Sequence, residues 1–217
     1  MPCSSPFYFS TERRLVRLTG RKARTLSELL RHLREVSGAS VFYHTHHVYL
    51  SHHFQRPAFD NDFASWTKEA LQETALPEQL AAVDLLSFTA MRPLREALIG
   101  VIERHLAGGA AGDRPCPGGD EFHFCESQSF LMPTGLVAET PRDFFATMPL
   151  VSNVSLFFHF FEARLRLGRT TNDFSAWLAA CGDPLRASAI DRLDPYLVSL
   201  DELRQQIVEI GGRPDAS

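Results

Sequence analysis

The chain carries one sequence pattern twice, so any fold it adopts has to accommodate two copies of the same unit. Adding 115 to Ser40, Phe42, His44 and Leu50 gives Ser155, Phe157, His159 and Leu165. The same offset takes Phe7 and Phe9 to Phe122 and Phe124, Thr19-Gly20 to Thr134-Gly135, and Val36-Ser37 to Val151-Ser152. After a four-residue deletion, Asn61, Asp62, Phe63 and Trp66 match Asn172, Asp173, Phe174 and Trp177. Val83-Asp84 then meets Ile190-Asp191, and Leu94-Arg95 meets Leu203-Arg204. A repeat is read before any local motif, because it changes what each motif means. The expected organisation is a first repeat over residues 1–106, a Gly/Pro-rich linker over 107–121 and a second repeat over 122–217.

Each copy reads as helical. Thr25-x-x-Glu28 is a capping-box pattern ahead of Leu26, Leu29, Leu30 and Leu33, which keep helical spacing. Thr140-Pro141-x-Asp143 starts the matching helix of the second copy. The stretch Ser40–Phe54 follows, with five of the nine histidines, and its length favours a histidine-rich helix capped by Ser40, as Ser155 caps its counterpart. Asn61-Asp62 and Asn172-Asp173 stand where caps are needed for the next helix, and two further helices complete each copy. Phe157, Phe158, Phe160 and Phe161 cover most of a helix circumference, which implies burial between other elements. The predicted fold class is all-α, as two tandem pseudo-symmetric repeats, with room for a short strand where F-x-F opens each copy.

Composition bounds the rest. At 217 residues and 44% apolar the chain can bury an ordinary core, and a net charge of -4 argues against generic nucleic-acid binding. Cys3, Cys116, Cys125 and Cys181 show neither a C-x-x-C pair nor zinc-ribbon spacing, which favours reduced thiols. No apolar run approaches the roughly 18 residues of a membrane span, and the N-terminus lacks a signal-peptide pattern. These features point to a cytoplasmic protein with no membrane partner.

The segments FYF, TGRKARTLSELLRHLREV, SVFYHTHHVYL, NDFASWTKEAL, LAAVD and LREALIGVIERHL, in that order, resemble a bacterial and archaeal family known only as a domain of unknown function. Members of that family sit near, or are fused to, glycosyltransferases of the trehalose-synthesis type. The resemblance covers nearly all of both copies and implies a fold and a neighbourhood in sugar metabolism. Where the family has an acidic residue between its two early aromatics, this chain has Tyr8 and His123.

Four patterns bear on chemistry. His44 is kept as His159 and is flanked at helical spacing by Val41 and Val48, so the ordinary reading is a buried, hydrogen-bonded core histidine, with Asp62 or Asp173, or a backbone carbonyl of the neighbouring helix, as acceptor. The functional reading makes His44, His159, Asp62 and Asp173 ligand-binding, or His44, His47 and His159 metal ligands; yet no H-x-x-x-H, H-E-x-x-H or E-x-x-H occurs. GGDEF, residues 118–122, matches the diguanylate cyclase signature, but it follows a Pro-Gly linker and a helical hundred residues, where a cyclase has an α/β domain. The run Arg13, Arg14, Arg17, Arg21, Lys22 and Arg24 could hold an anion or nucleotide, with Arg17 and Arg21 foremost, but the second copy lacks it and a solvated charged face is the simpler reading. No G-x-S-x-G occurs. The expected function is therefore a noncatalytic binding or regulatory module without a cofactor, linked to carbohydrate metabolism through the resemblance. A metal-dependent enzyme and an anion or nucleotide binder are the alternatives.

Overall fold

A computed structural model describes residues 3–47, 59–109, 113–168, 171–194 and 197–212. Strand β1 is Phe7–Ala23 and pairs antiparallel with β2, Phe122–Ala138. Between them lie α1 (Leu26–Glu35), α2 (Gly38–Phe42) running into a π turn over Tyr43–His47, α3 (Asp62–Glu69), α4 (Ala75–Ala81) and α5 (Met91–Ala107). After β2 come α6 (Pro141–Thr147), α7 (Asn153–Phe157), a second π turn over Phe158–Glu162, α8 (Ala163–Leu167), α9 (Asp173–Ala180), α10 (Pro184–Asp191) and α11 (Leu200–Gly211).

The all-α expectation is overturned, since the protein is mixed, with two 17-residue strands where a short one was allowed. The reason lies in their burial. Apart from Glu12, only the ends of each strand are buried, at Phe7, Phe9 and Ala23 and at Phe122, Phe124 and Ala138, while most of the middle faces solvent. Without one buried face the period-2 pattern of a strand does not develop, and partners about a hundred residues apart leave no hairpin signal. Thr19-Gly20 and Thr134-Gly135 lie inside the strands. Gly20 and Gly135 have φ of 78° and 82°, a conformation that glycine tolerates and other residues resist. Beside them Thr19 Oγ1 donates to the Phe124 carbonyl (2.8 Å) and Thr134 Oγ1 to the Phe9 carbonyl (2.6 Å).

The histidine-rich helix also needs correction. The described helical stretch runs only from Gly38 to His47, ends in the π turn, and carries His44, His46 and His47; His52 and His53 lie outside the described residues. Its N-cap is Ser37, whose side chain accepts from the Ser40 N–H, and Ser152 does the same for Ser155. Ser40 and Ser155 are thus buried first-turn residues and not caps. The caps at Thr25, Thr140, Asn61 and Asn172 form as their side chains dictate. Cys3 and Cys181 are joined in a disulfide, contrary to the expectation of reduced thiols, while Cys116 and Cys125 remain thiols.

The chain divides into two compact units. One is the continuous segment Arg14–Gln128; the other combines Met1–Arg13 with Ser129–Ser217. Each strand therefore contributes its opening F-x-F to the helices of the other sequence copy. In the continuous unit Phe122 stacks on Phe63 (ring centroids 5.2 Å apart) and meets Trp66 and His44. In the other unit Phe7 meets Phe174, Trp177 and His159, and Phe9 stacks on Phe144. Arg95 donates to the Val36 carbonyl, and its counterpart Arg204 donates to the carbonyl of Val151.

Candidate functional site

His44 is buried at 3% exposure, and His159 at 4%, each within its own unit. His44 Nδ1 lies 2.8 Å from Asp62 Oδ2, and its Nε2 accepts from the backbone N–H of Cys125 at 2.9 Å. His159 repeats this, with Asp173 Oδ2 at 2.7 Å and the Ser10 N–H at 2.8 Å. An amide nitrogen can only donate, so Nε2 carries the lone pair and Nδ1 the proton, which is given to the aspartate. Both nitrogens of each ring are thereby committed. The aspartate, at the first position of α3 or α9, and the π turn hold the ring from the helices; the strand amide closes the bridge. Trp66 Nε1 donates to the Asp120 carbonyl and Trp177 Nε1 to that of Ser5, a second link of the same kind in each unit.

The continuous unit also has an open cleft of about 540 Å³ against His44 and Asp62. Tyr43 and Trp66 supply its aromatic walls, and Glu69, Asp120 and Glu121 supply further carboxylates. Asp62, Ser65, Trp66 and Glu69 stand at i, i+3, i+4 and i+7 of α3, so they share one helix face. Asp120 and Glu121 come from the GGDEF segment, which here is the lead into β2, with Gly119 at φ 100° and Phe122 as the first strand residue. His123 borders the cleft beside Cys125.

Burial, then the Asp62 charge, raises the Cys125 thiol above its ordinary value, so the sulfur stays protonated at neutral pH. Tyr43 is raised as well, by burial first and then by Cys125 and Asp62. Neither group is a ready nucleophile.

The basic run is on β1 except for Arg24, which follows it. Arg17 is bonded to Glu126, and Arg21 to Glu35 with His32 close by. The hydrogen bond from Arg17, then that from Ser37, lowers the Glu126 carboxyl, while the hydrogen bond from Arg21 lowers that of Glu35. Arg14 lies over the Phe42 ring, 5.3 Å from its centroid. His47 stacks on Tyr43 with centroids 5.0 Å apart. Of the residues named from the sequence, the structure brings together His44 with Asp62 and His159 with Asp173; Arg17 and Arg21 are placed with their own partners elsewhere. Tyr43, Trp66, Glu69, Asp120 and Glu121 were not named for a site, although the polar face at 62, 65, 66 and 69 is a helical spacing visible in the sequence.

His46 is held in its neutral form by burial. It is 3% exposed, stacked on Phe42, and its Nδ1 lies 2.9 Å from Thr45 Oγ1. Desolvation pushes it down to about 4 from an ordinary 6.5. Below pH 6.5 the unfolded chain takes up a proton that the folded ring refuses. Stability therefore falls as pH drops from about 6.5 to about 4, by about 3 kcal/mol in all, and His46 adds no further loss below that. Urea unfolding at pH 7 and pH 4.5 should show a larger loss in the parent than in His46→Leu; equal losses would contradict the assignment.

The chain belongs to the DUF5752 family, a family of unknown function, which it matches over residues 4–211. It is similar to the solved structure of OrfY from Thermoproteus tenax, at 29% identity and a TM-score of 0.85, covering 100% of this chain and 99% of that one. No curated protein matches. Among the described residues, no helix is long and apolar enough to cross a membrane.

Proposed function

We propose that the protein is a noncatalytic ligand-binding module with a regulatory role, and that its target is an enzyme of carbohydrate metabolism. The observation that carries this reading is the double commitment of each imidazole. A general base or acid needs a ring nitrogen facing its substrate, within about 3 Å. In His44 and His159 one nitrogen is bonded to an aspartate and the other to a backbone amide. Two such bridges in one chain fit a shared structural demand better than two active sites, because the surroundings differ: Tyr43 is replaced by Phe158, Ser65 by Ala176 and Glu69 by Ala180. The protonated Cys125 thiol likewise suits a site that binds without reacting. The cleft beside His44 has the size and mixed aromatic and polar lining of a small-ligand site. The link to carbohydrate metabolism comes from the resemblance to proteins found beside trehalose-type glycosyltransferases.

A thermal-shift screen over sugars, sugar phosphates, nucleotide sugars and amines, with each hit followed by NMR, tests the proposal. A hit should raise the melting temperature and stay chemically unchanged through prolonged incubation. Turnover of a hit that disappears in His44→Gln, with the melt retained, would contradict it.

A further inference from the structure

The chemistry of the cleft points to a class of ligand, and this step rests on the binding-module reading above. We infer that the cleft takes an organic cation, an alkylammonium or guanidinium group, held against Tyr43 and Trp66 and countered by Asp62, Glu69 and Asp120.

The lining is one-sided in charge. It contains carboxylates from Asp62, Glu69, Asp120 and Glu121, and no lysine or arginine among the described residues. Glu121 is partly answered from outside, since Arg24 Nε lies 4.0 Å from its carboxylate. The others are not. Asp62 gives one oxygen to His44, and its side chain remains 33% exposed; Glu69 and Asp120 are exposed.

A compact metal ion is the less suitable occupant. Among the described residues no three His, Cys, Asp or Glu side chains are grouped so as to hold one. Carboxylates spread around a cleft of about 540 Å³ suit a larger cation whose charge is distributed and whose carbon surface lies on aromatic rings. Tyr43 is partly exposed and Trp66 mostly buried, its indole N–H already tied to the Asp120 carbonyl. Tyr43 therefore supplies most of the ring surface open to the cleft.

The other unit acts as an internal comparison. At the positions of Ser65, Glu69, Asp120 and Glu121 it has Ala176, Ala180, Ser5 and Pro6, and there Cys181 is bonded to Cys3. The His–Asp–amide bridge is retained without these acidic groups, so the bridge does not require them. They are a separate property of the Arg14–Gln128 unit.

Isothermal titration calorimetry of the full chain tests the inference with four probes: spermidine, a short arginine- and lysine-containing peptide, sucrose and magnesium chloride. Spermidine or the peptide should saturate one site. Its affinity should fall about tenfold in the Glu69→Gln, Asp120→Asn double variant and again on raising the salt, as semi-exposed charge pairs do. Tyr43→Leu should weaken it about threefold or more. Glu78→Gln, an exposed carboxylate outside the cleft, should change nothing. Tighter binding of spermidine assigns the site to a free amine, and tighter binding of the peptide assigns it to basic side chains of a partner. Failure of both cationic probes to bind, binding indifferent to Glu69 and Asp120, or binding of magnesium alone would overturn the inference. Sucrose binding lost in Tyr43→Leu, with no cation bound, would overturn the charge class while leaving the binding-module reading in place. Chemical conversion of any probe would overturn that reading itself.

Discussion

A fragment spanning residues 14–128 should unfold cooperatively, whereas residues 1–106, the first sequence repeat, should show no cooperative transition. The two fragments share every helix from α1 to α4 and most of α5; they differ in which F-x-F strand segment accompanies those helices. Fragment 14–128 retains Phe122 and Phe124, which are 5% and 0% exposed and pack on Phe63, Trp66 and His44. Fragment 1–106 keeps Phe7 and Phe9 instead, whose observed contacts are with Phe144, His159, Phe174 and Trp177. Losing one buried phenylalanine side chain costs about 3–5 kcal/mol. Two such losses, with the Cys125 and Asp120 backbone partners of His44 and Trp66 gone as well, match or exceed the roughly 5–15 kcal/mol that holds a domain folded. Circular dichroism melts of both fragments give the answer. Cooperative melting of 1–106 comparable to that of 14–128 would mean that the F-x-F segment is dispensable or replaceable.

The second large effect belongs to the histidines. His44→Ala should destabilise the protein by about 2–4 kcal/mol, and His159→Ala by a similar amount. Each removes a buried ring and takes a hydrogen-bond partner from two polar groups: the Cys125 or Ser10 amide, and one oxygen of Asp62 or Asp173. An unmet buried polar group costs about 1–3 kcal/mol, more for a charged one, and the aspartates recover part of this through their remaining exposure. The two costs should be close because the two bridges have the same geometry. Chemical denaturation of each variant against the parent measures both. A loss below about 0.5 kcal/mol in either would place the ring outside the structural role assigned to it.

Much of this was legible in the sequence because it is local. Capping at Thr25, Thr140, Asn61 and Asn172 depends on a side chain and an amide three residues on, and the sequence contains both. Asp62 and Asp173 were nameable as partners for the histidines by type and by their retention in both copies. The unreadable part is nonlocal. The pairing of β1 with β2 leaves both faces of the strand centres exposed, so no alternation marks them, and the exchange of F-x-F segments has no signature because the segments are alike. The Cys3–Cys181 bond joins residues 178 positions apart, with no spacing rule to announce it. Glu69, Asp120 and Glu121 are hard to read from sequence for another reason. The first is an ordinary exposed helix residue, and the other two lie in a motif whose usual setting is an α/β domain, although here they form part of a cleft in a different fold.

The central claim, that His44 and His159 are bridges and not reacting groups, is tested most directly by two-bond proton–nitrogen NMR of the imidazole rings at neutral pH. The account predicts that both are neutral and carry the proton on Nδ1, with Nε2 showing the shift of a hydrogen-bond acceptor. A proton on Nε2 of either ring, or rapid exchange between tautomers as in a solvent-facing histidine, would contradict it.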